Sequence, residues 1–375
     1  MEVALPDQTL IPLRTLLADV FTVSDTRVLD AATEAGAPDK AVEFRGQLTQ
    51  PSDAAYRTLA PRFQDLGYTI VLQRENGADV VQALHGLEAA RPGRLIINVV
   101  LLLATIITTL MAGAIISGVI MRSPEVFLRR PALLLEGFPF AFTLLLILGV
   151  HEMGHYVAGR YHRTAVTLPY FIPMPPFGAL PLGTLGAFIQ LRSPIPSRRA
   201  LFDIGVAGPL AGLVIAIGAF AAGLSASQPV HGGGSSLIVG RSIFTTFMIG
   251  LLQPDALQPG FGVRMNPVML AGWLGLFVTV INLLPIGQLD GGHILYAVMG
   301  RRARWAGFIT IGALVILGVV FGATTWLVWA VLGLVFGVKH APALDDITPL
   351  DPARKFMALL TLVIFVLIFV PVPFR

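Results

Sequence analysis

Repeated apolar stretches constrain this chain more than any other feature, because a helix needs roughly 20 apolar residues to cross a hydrocarbon core of ~30 Å. Such stretches run near 95–121, 136–160, 200–224 and 266–286, with three more near 303–322, 323–338 and 355–373. The sixth is short, and the run from Ser235 to Leu252 is a further candidate, so six to eight spans are expected, with seven as the working count. Composition agrees: 55% hydrophobic against 13% charged residues lies outside the range of a water-soluble domain. The expected fold is a polytopic α-helical membrane protein preceded by a small α+β soluble domain.

Charge divides the chain at the same place. Residues 1–92 hold 13 Asp and Glu against 8 Lys and Arg, whereas residues 93–375 hold 9 against 18. The excess positive charge sits in loop arginines beside the spans, where it meets the headgroups of a lipid bilayer, and nucleic acid is not expected as a partner. With no cysteine, disulfides and thiolate metal sites are excluded, so a bound metal must use His, Asp or Glu. The amino terminus lacks the basic stretch and apolar core of a cleavable signal, so the first span is expected to direct insertion.

Within the first part, Val42–Leu48, Ser52–Leu66, Tyr68–Gln73 and Asp79–Leu84 read as strand, helix, strand, strand, with a hairpin turn at Glu75, Asn76 and Gly77. Residues 1–35 read as helical, with Asp25 as a cap. This domain regulates or docks a partner, or it is a folded cap that stabilises the membrane part. Arg and Lys near the span ends number 13 on one side and 6 on the other if every stretch crosses once. The positive-inside bias then places the amino-terminal domain and the carboxyl end of the second span on the cytoplasmic side. A bacterial cell membrane is the expected setting.

The second span runs apolar from Phe140 to Val150, apart from Thr143, and then presents His151, Glu152, Met153, Gly154 and His155. Four helical steps of about 100° leave the two histidines about 40° apart and one turn along, so both imidazoles reach one metal ion. Glu152 lies beside them, suited to take a proton from a metal-activated water and pass it to a leaving amine. A five-residue match of this kind also arises by chance on ordinary surface helices. Here an ionised side chain at membrane depth costs at least ~2.5 kcal/mol, which argues against three such neighbours without a role.

A catalytic zinc takes three protein ligands and keeps one position open. Asp290 and His293 both follow the fourth span, in Asn282 to His293, where Pro285 and three glycines interrupt the helix. Spacing leaves the choice between them open. Broken helix inside a membrane is tolerated where protein or a water-filled cavity satisfies its backbone, which suits a hydrolytic site.

HEMGH at 151–155, AGPLAG at 207–212 and NLLPIGQLDGGH at 282–293 together resemble the site-2 protease family of intramembrane metalloproteases. The resemblance covers roughly residues 130–300. It implies that His151 and His155 bind one zinc ion, that Asp290 is the third ligand, that Glu152 activates water, and that His293 merely neighbours the site or the helix surface. With the charge division and the apolar stretches, the expected order is a soluble domain over 1–92, a first span and linker over 93–130, the three-span metalloprotease core that the resemblance implies over 131–300 and accessory spans over 301–375. Transmembrane proteins are the implied substrates, cut within or near a membrane segment. The amino-terminal domain, Arg62 to Tyr68 and Phe202 to Ile204 resemble the ethylene-dependent gravitropism-deficient and yellow-green-like branch.

Seven prolines between 165 and 199 forbid a continuous helix after the catalytic one. Gly183 to Ile189 is therefore a candidate re-entrant strand for an unwound substrate, with Gly183, Gly186 and Phe188 as substrate-binding candidates, against the plainer reading of a connecting loop. Asn282 either makes an interhelical hydrogen bond or, by the resemblance, steadies the substrate carbonyl. Asp203 reads as a helix cap, and His162, His231 and His340 as loop residues. A prenyl-protein-type protease carries a distal Glu and His set that the Leu289–Gly292 segment does not match. A transporter or metal-binding pseudoenzyme is the alternative from another class, and the intact Glu152 argues against it.

Overall fold

In a computed structural model, helix α1 (Asp7–Leu17) precedes strands β1 (Phe21–Leu29) and β2 (Ala41–Leu48), helix α2 (Ser52–Gln64), and strands β3 (Tyr68–Glu75) and β4 (Ala78–His85). The structure describes residues 7–29, 41–85, 94–119, 125–176, 182–231, 239–337, 340 and 342–374. The four strands form one antiparallel sheet in the order β1-β2-β4-β3. Asn76 and Gly77 join β3 to β4 with φ of 50° and 83°, the left-handed pair that a two-residue hairpin requires. Leu13, Leu17, Phe44, Leu59, Phe63 and Leu72 are fully buried between the sheet and the two helices.

Residues 1–35 are not one helix. α1 ends at Leu17, and Phe21–Leu29 pairs with β2, shifting register between Val23 and Asp25. Asp25 therefore caps nothing; its carboxylate accepts from the Thr26 amide at 2.9 Å and from Arg27 Nε at 3.1 Å. Val23, Thr26 and Val28 favour a strand, and long-range pairing with β2 overrides local helical preference. Residues 1–6 and 30–35 of that expectation lie outside the described residues.

This first unit also takes in residues 192–202 and 341–355. The Leu72 amide donates to the Leu344 carbonyl at 2.7 Å, and the Asp346 amide to the Leu72 carbonyl at 2.9 Å, so a parallel bridge covers the edge of β3. Tyr56 of α2 packs on the same core, and burial, with Asp345 adding to it, pushes its phenol up to about 12. The unfolded chain ionises near pH 10 and the folded one later, so the stabilisation is complete below pH ~10. About 2–3 kcal/mol is expected to disappear between pH ~10 and ~12. In a near-ultraviolet titration of the six tyrosines, Tyr56→Phe should remove absorbance that otherwise develops toward pH ~12, and an unchanged titration would contradict this.

The second unit is helical. Its elements are α3 (Leu95–Ile116), α4 (Glu125–Arg129), α5 (Phe138–Tyr161), the hairpin β5 (Tyr170–Pro173) and β6 (Thr184–Phe188), α6 (Arg198–Ser225), β7 (Pro229–His231), α7 (Ile243–Leu252), β8 (Phe261–Val263), α8 (Pro267–Asn282), α9 (Asp290–Met299), α10 (Ala303–Val320), α11 (Thr324–Phe336) and α12 (Pro352–Ile368). The first residues of α6 and α12 belong to the first unit. α5 packs against α3 and α8, and the core runs through Phe140, Ile147, Phe220, Trp273, Val280 and Trp326. Outward faces stay apolar, as at Ile96, Leu103 and Ile107 on α3 and at Ile309, Ile316 and Val319 on α10. Such a surface suits lipid and not water.

Four described helical runs have the length and composition to cross a membrane: Leu95–Ile116, Pro131–Tyr161, Arg198–Ser225 and Asp290–Val320. The six to eight expected spans are not all present as long helices. Asn266 caps α8 by accepting from the Met269 amide at 2.9 Å, with Pro267 at the first helical position, and the helix ends after 16 residues. At 1.5 Å per residue, the 13 residues of α11 reach only about 20 Å. Of the Ser235–Leu252 run, residues 235–238 lie outside the described residues, and Ile243–Leu252 is a short apolar helix with a capping box at Ser242 and Thr245.

Candidate metal centre

The second long helix delivers the motif to the protein interior. His151, Glu152 and His155 on α5 are only 4%, 5% and 6% exposed. The two Nε2 atoms stand 3.1 Å apart, and Asp290 Oδ2 lies 3.4 Å from His151 Nε2 and 3.2 Å from His155 Nε2. These three residues form the one cluster of metal-ligating side chains found among the described residues. Ligand atoms about 2.0–2.2 Å from a tetrahedral ion stand about 3.3–3.6 Å apart, and the observed separations of 3.1, 3.2 and 3.4 Å come within a few tenths of an ångström of that, so the triangle suits a single zinc with a fourth position left open.

Neighbouring backbone sets the ligands. The Ile204 carbonyl can only accept, so His155 Nδ1 donates to it at 2.7 Å and Nε2 is left with its lone pair toward the cluster. α6 approaches α5 closely because both are bare at the crossing. A Cβ on Gly154 would lie 2.6 Å from the Ala207 carbonyl oxygen, and one on Gly208 would overlap the His155 ring. Asp290 opens α9 directly after the break: α8 ends at Asn282, Pro285 prevents continuation, and Gly287 turns at φ 46°.

Of the sequence candidates, Asn282 comes close, its Nδ2 3.2 Å from His151 Nε2. His293 stays out of the cluster, its Nδ1 2.5 Å from His340 Nε2, while Tyr296 stacks on His340 at 4.5 Å. Gly183, Gly186 and Phe188 all belong to the β5–β6 hairpin or its entry. Gly183 and Gly186 take φ of 77° and 108°, and Phe188 stacks on Tyr170 across the pair at 5.4 Å.

Residues 139–322 match peptidase family M50. Over these 184 of its 375 residues the chain is similar to that family. "Probable zinc metalloprotease EGY1, chloroplastic" of Arabidopsis thaliana is 33% identical over 245 residues, covering 62% of this chain and 43% of that protein. The Oryza sativa subsp. japonica protein of the same name is 31% identical over 242 residues, covering 63% and 41%. "Probable zinc metalloprotease EGY2, chloroplastic" of Arabidopsis thaliana is 32% identical over 252 residues, covering 64% and 43%. The matched stretch thus spans less than half the length of these relatives. They belong to the branch suspected from the sequence, and their names give chloroplasts, so they lend no support to a bacterial cell membrane. No solved structure matches.

Within the matched residues, three features escaped the sequence reading. The Ile204 carbonyl orients His155 through its backbone, which no side-chain motif reports. The Ile189 main chain, just beyond β6, approaches the Glu152 carboxylate. Asp203 pairs with His162 Nε2 at 2.8 Å in place of the expected cap, joining α6 to the end of α5. Only this last pair is made of side chains, which a sequence can show.

Proposed function

We propose that this chain is an intramembrane zinc endopeptidase that hydrolyses peptide bonds within or near a transmembrane segment of membrane-protein substrates. The observation that carries the reading is the convergence of His151, His155 and Asp290 at coordinating distances, with Glu152 on the same buried helix. The three ligands would hold zinc, which when bound supplies Lewis acidity that makes water nucleophilic near neutral pH and polarises a carbonyl. Glu152 accepts the proton at its carboxylate and returns it to the leaving amine. The Ile189 main chain lies beside that carboxylate, and the Ile204 carbonyl would keep His155 in its ligating tautomer.

A helical peptide bond is shielded, so the substrate must unwind and find new backbone partners. β6 pairs with β5 on one side only, and its other edge offers those partners to an extended peptide. Thr108 Oγ1 on α3 donates to the Gly183 carbonyl at 2.6 Å and Asn98 Nδ2 to the Leu168 and Pro169 carbonyls, which fixes the hairpin. Open space beside Gly186 and the half-exposed Phe188 favour substrate contact, and the Asn282 amide is placed to steady a substrate carbonyl. Catalysis is assigned to residues 131–300, with 301–375 as accessory helices and 1–92 as a soluble regulatory or docking domain.

The test is cleavage of a membrane-embedded helical substrate in proteoliposomes, with the cut mapped by mass spectrometry. Cuts within or at the edge of the membrane segment, lost on chelation and restored by zinc, are expected. Cleavage that survives chelation, or falls only in soluble segments, overturns the reading. Gly186→Val, which places a β-branched side chain at φ 108°, should raise KM with a smaller change in kcat.

A further inference from the structure

The Pro285–Asp290 break also forms the wall of a cavity of about 290 Å³. Gly287 and Gly292 give the wall its backbone, and Tyr296, Arg301, Arg304 and His340 supply the side chains. Among the described residues no carboxylate lines it, and it presents two guanidinium groups. It lies where the turn Gly300–Arg302 hands over to α10, the start of an 18-residue apolar helix. The Arg304 guanidinium sits 5.3 Å above the Trp305 ring, and Trp305 is 60% exposed. An arginine stacked on an exposed tryptophan at the end of an apolar helix marks the headgroup level of a bilayer.

From this juxtaposition we infer that the cavity binds the phosphate of an anionic phospholipid headgroup, through Arg301 and Arg304. Guanidinium groups present paired donors that match phosphate oxygens, and a bilayer supplies phosphate esters at this depth. A lipid held here lies against Gly287 and Gly292, the glycines on either side of Asp290, so it braces the turn that carries the third ligand. The binding step is independent of proteolysis.

Trp305 makes the site readable. Trp273 and Trp326 are buried and Trp329 is half-buried, which leaves Trp305 as the indole most open to lipid. The full-length protein is reconstituted with brominated phosphatidylglycerol or brominated phosphatidylcholine and tryptophan quenching is compared. Phosphatidylglycerol should quench several-fold more strongly, and the preference should vanish in Trp305→Phe and in the double variant R301A/R304A. Equal quenching by the two lipids in the wild type, or a preference that survives R301A/R304A, overturns the site. A third arm adds excess inorganic phosphate: an unchanged preference supports the lipid headgroup, whereas its loss assigns the cavity to free phosphate and overturns the lipid.

Discussion

Gly208→Ala is expected to cost the protein its metal although residue 208 is not a ligand. The added methyl would occupy the space of the His155 ring, and that ring has no freedom to move aside because Nδ1 is tied to the Ile204 carbonyl at 2.7 Å. Relief requires either breaking that bond or separating α6 from α5, where Gly154 already meets the Ala207 carbonyl. Loss of an orienting partner alone typically lowers metal affinity about 10–100-fold, and displacement of the ligand itself should reach or exceed that. Gly218→Ala is the control, since nothing lies within 4 Å of a Cβ there and alanine is the better helix former. Zinc content after equilibration in a zinc buffer should fall for Gly208→Ala and hold for Gly218→Ala. Equal zinc in the two would mean that the helices do not meet through Gly208.

Glu152→Gln is expected to separate chemistry from metal binding. Glu152 stands beside the triangle of His151, His155 and Asp290 and is not one of its corners, so zinc content should be unchanged. Glutamine keeps the shape, but it takes no proton from water. General-base catalysis contributes about 10²–10⁴-fold, and kcat should fall within or beyond that range while KM changes little. A variant that cleaves within about ten-fold of the wild type would remove Glu152 from the mechanism.

Much of this was legible in the residues because membrane burial makes each ionisable group informative. His151 and His155 follow from helical spacing, and the strands from Val42 to Leu84, with the Asn76–Gly77 turn, follow from alternation and turn chemistry. Asp290 needed more than spacing, since His293 was equally near in sequence. The structure separates them: the Asp290 carboxylate joins the two imidazoles, while His293 turns to His340. Phe21–Leu29 becomes a strand through pairing with β2, so local propensity alone misplaces it, whereas α8 and α11 stand where apolar helices were expected but are shorter than the long spans. The orienting role of Ile204 is carried by a main-chain carbonyl, which looks the same at every position of a sequence.

The central claim, that one zinc on His151, His155 and Asp290 drives cleavage, is tested most directly by stripping the protein of metal and returning zinc in steps, following cleavage of a helical membrane substrate. Cleavage should be absent at the start, rise in proportion to bound zinc and level off at one ion per chain. Cleavage before any zinc is returned, or a plateau at a different stoichiometry, would contradict the account.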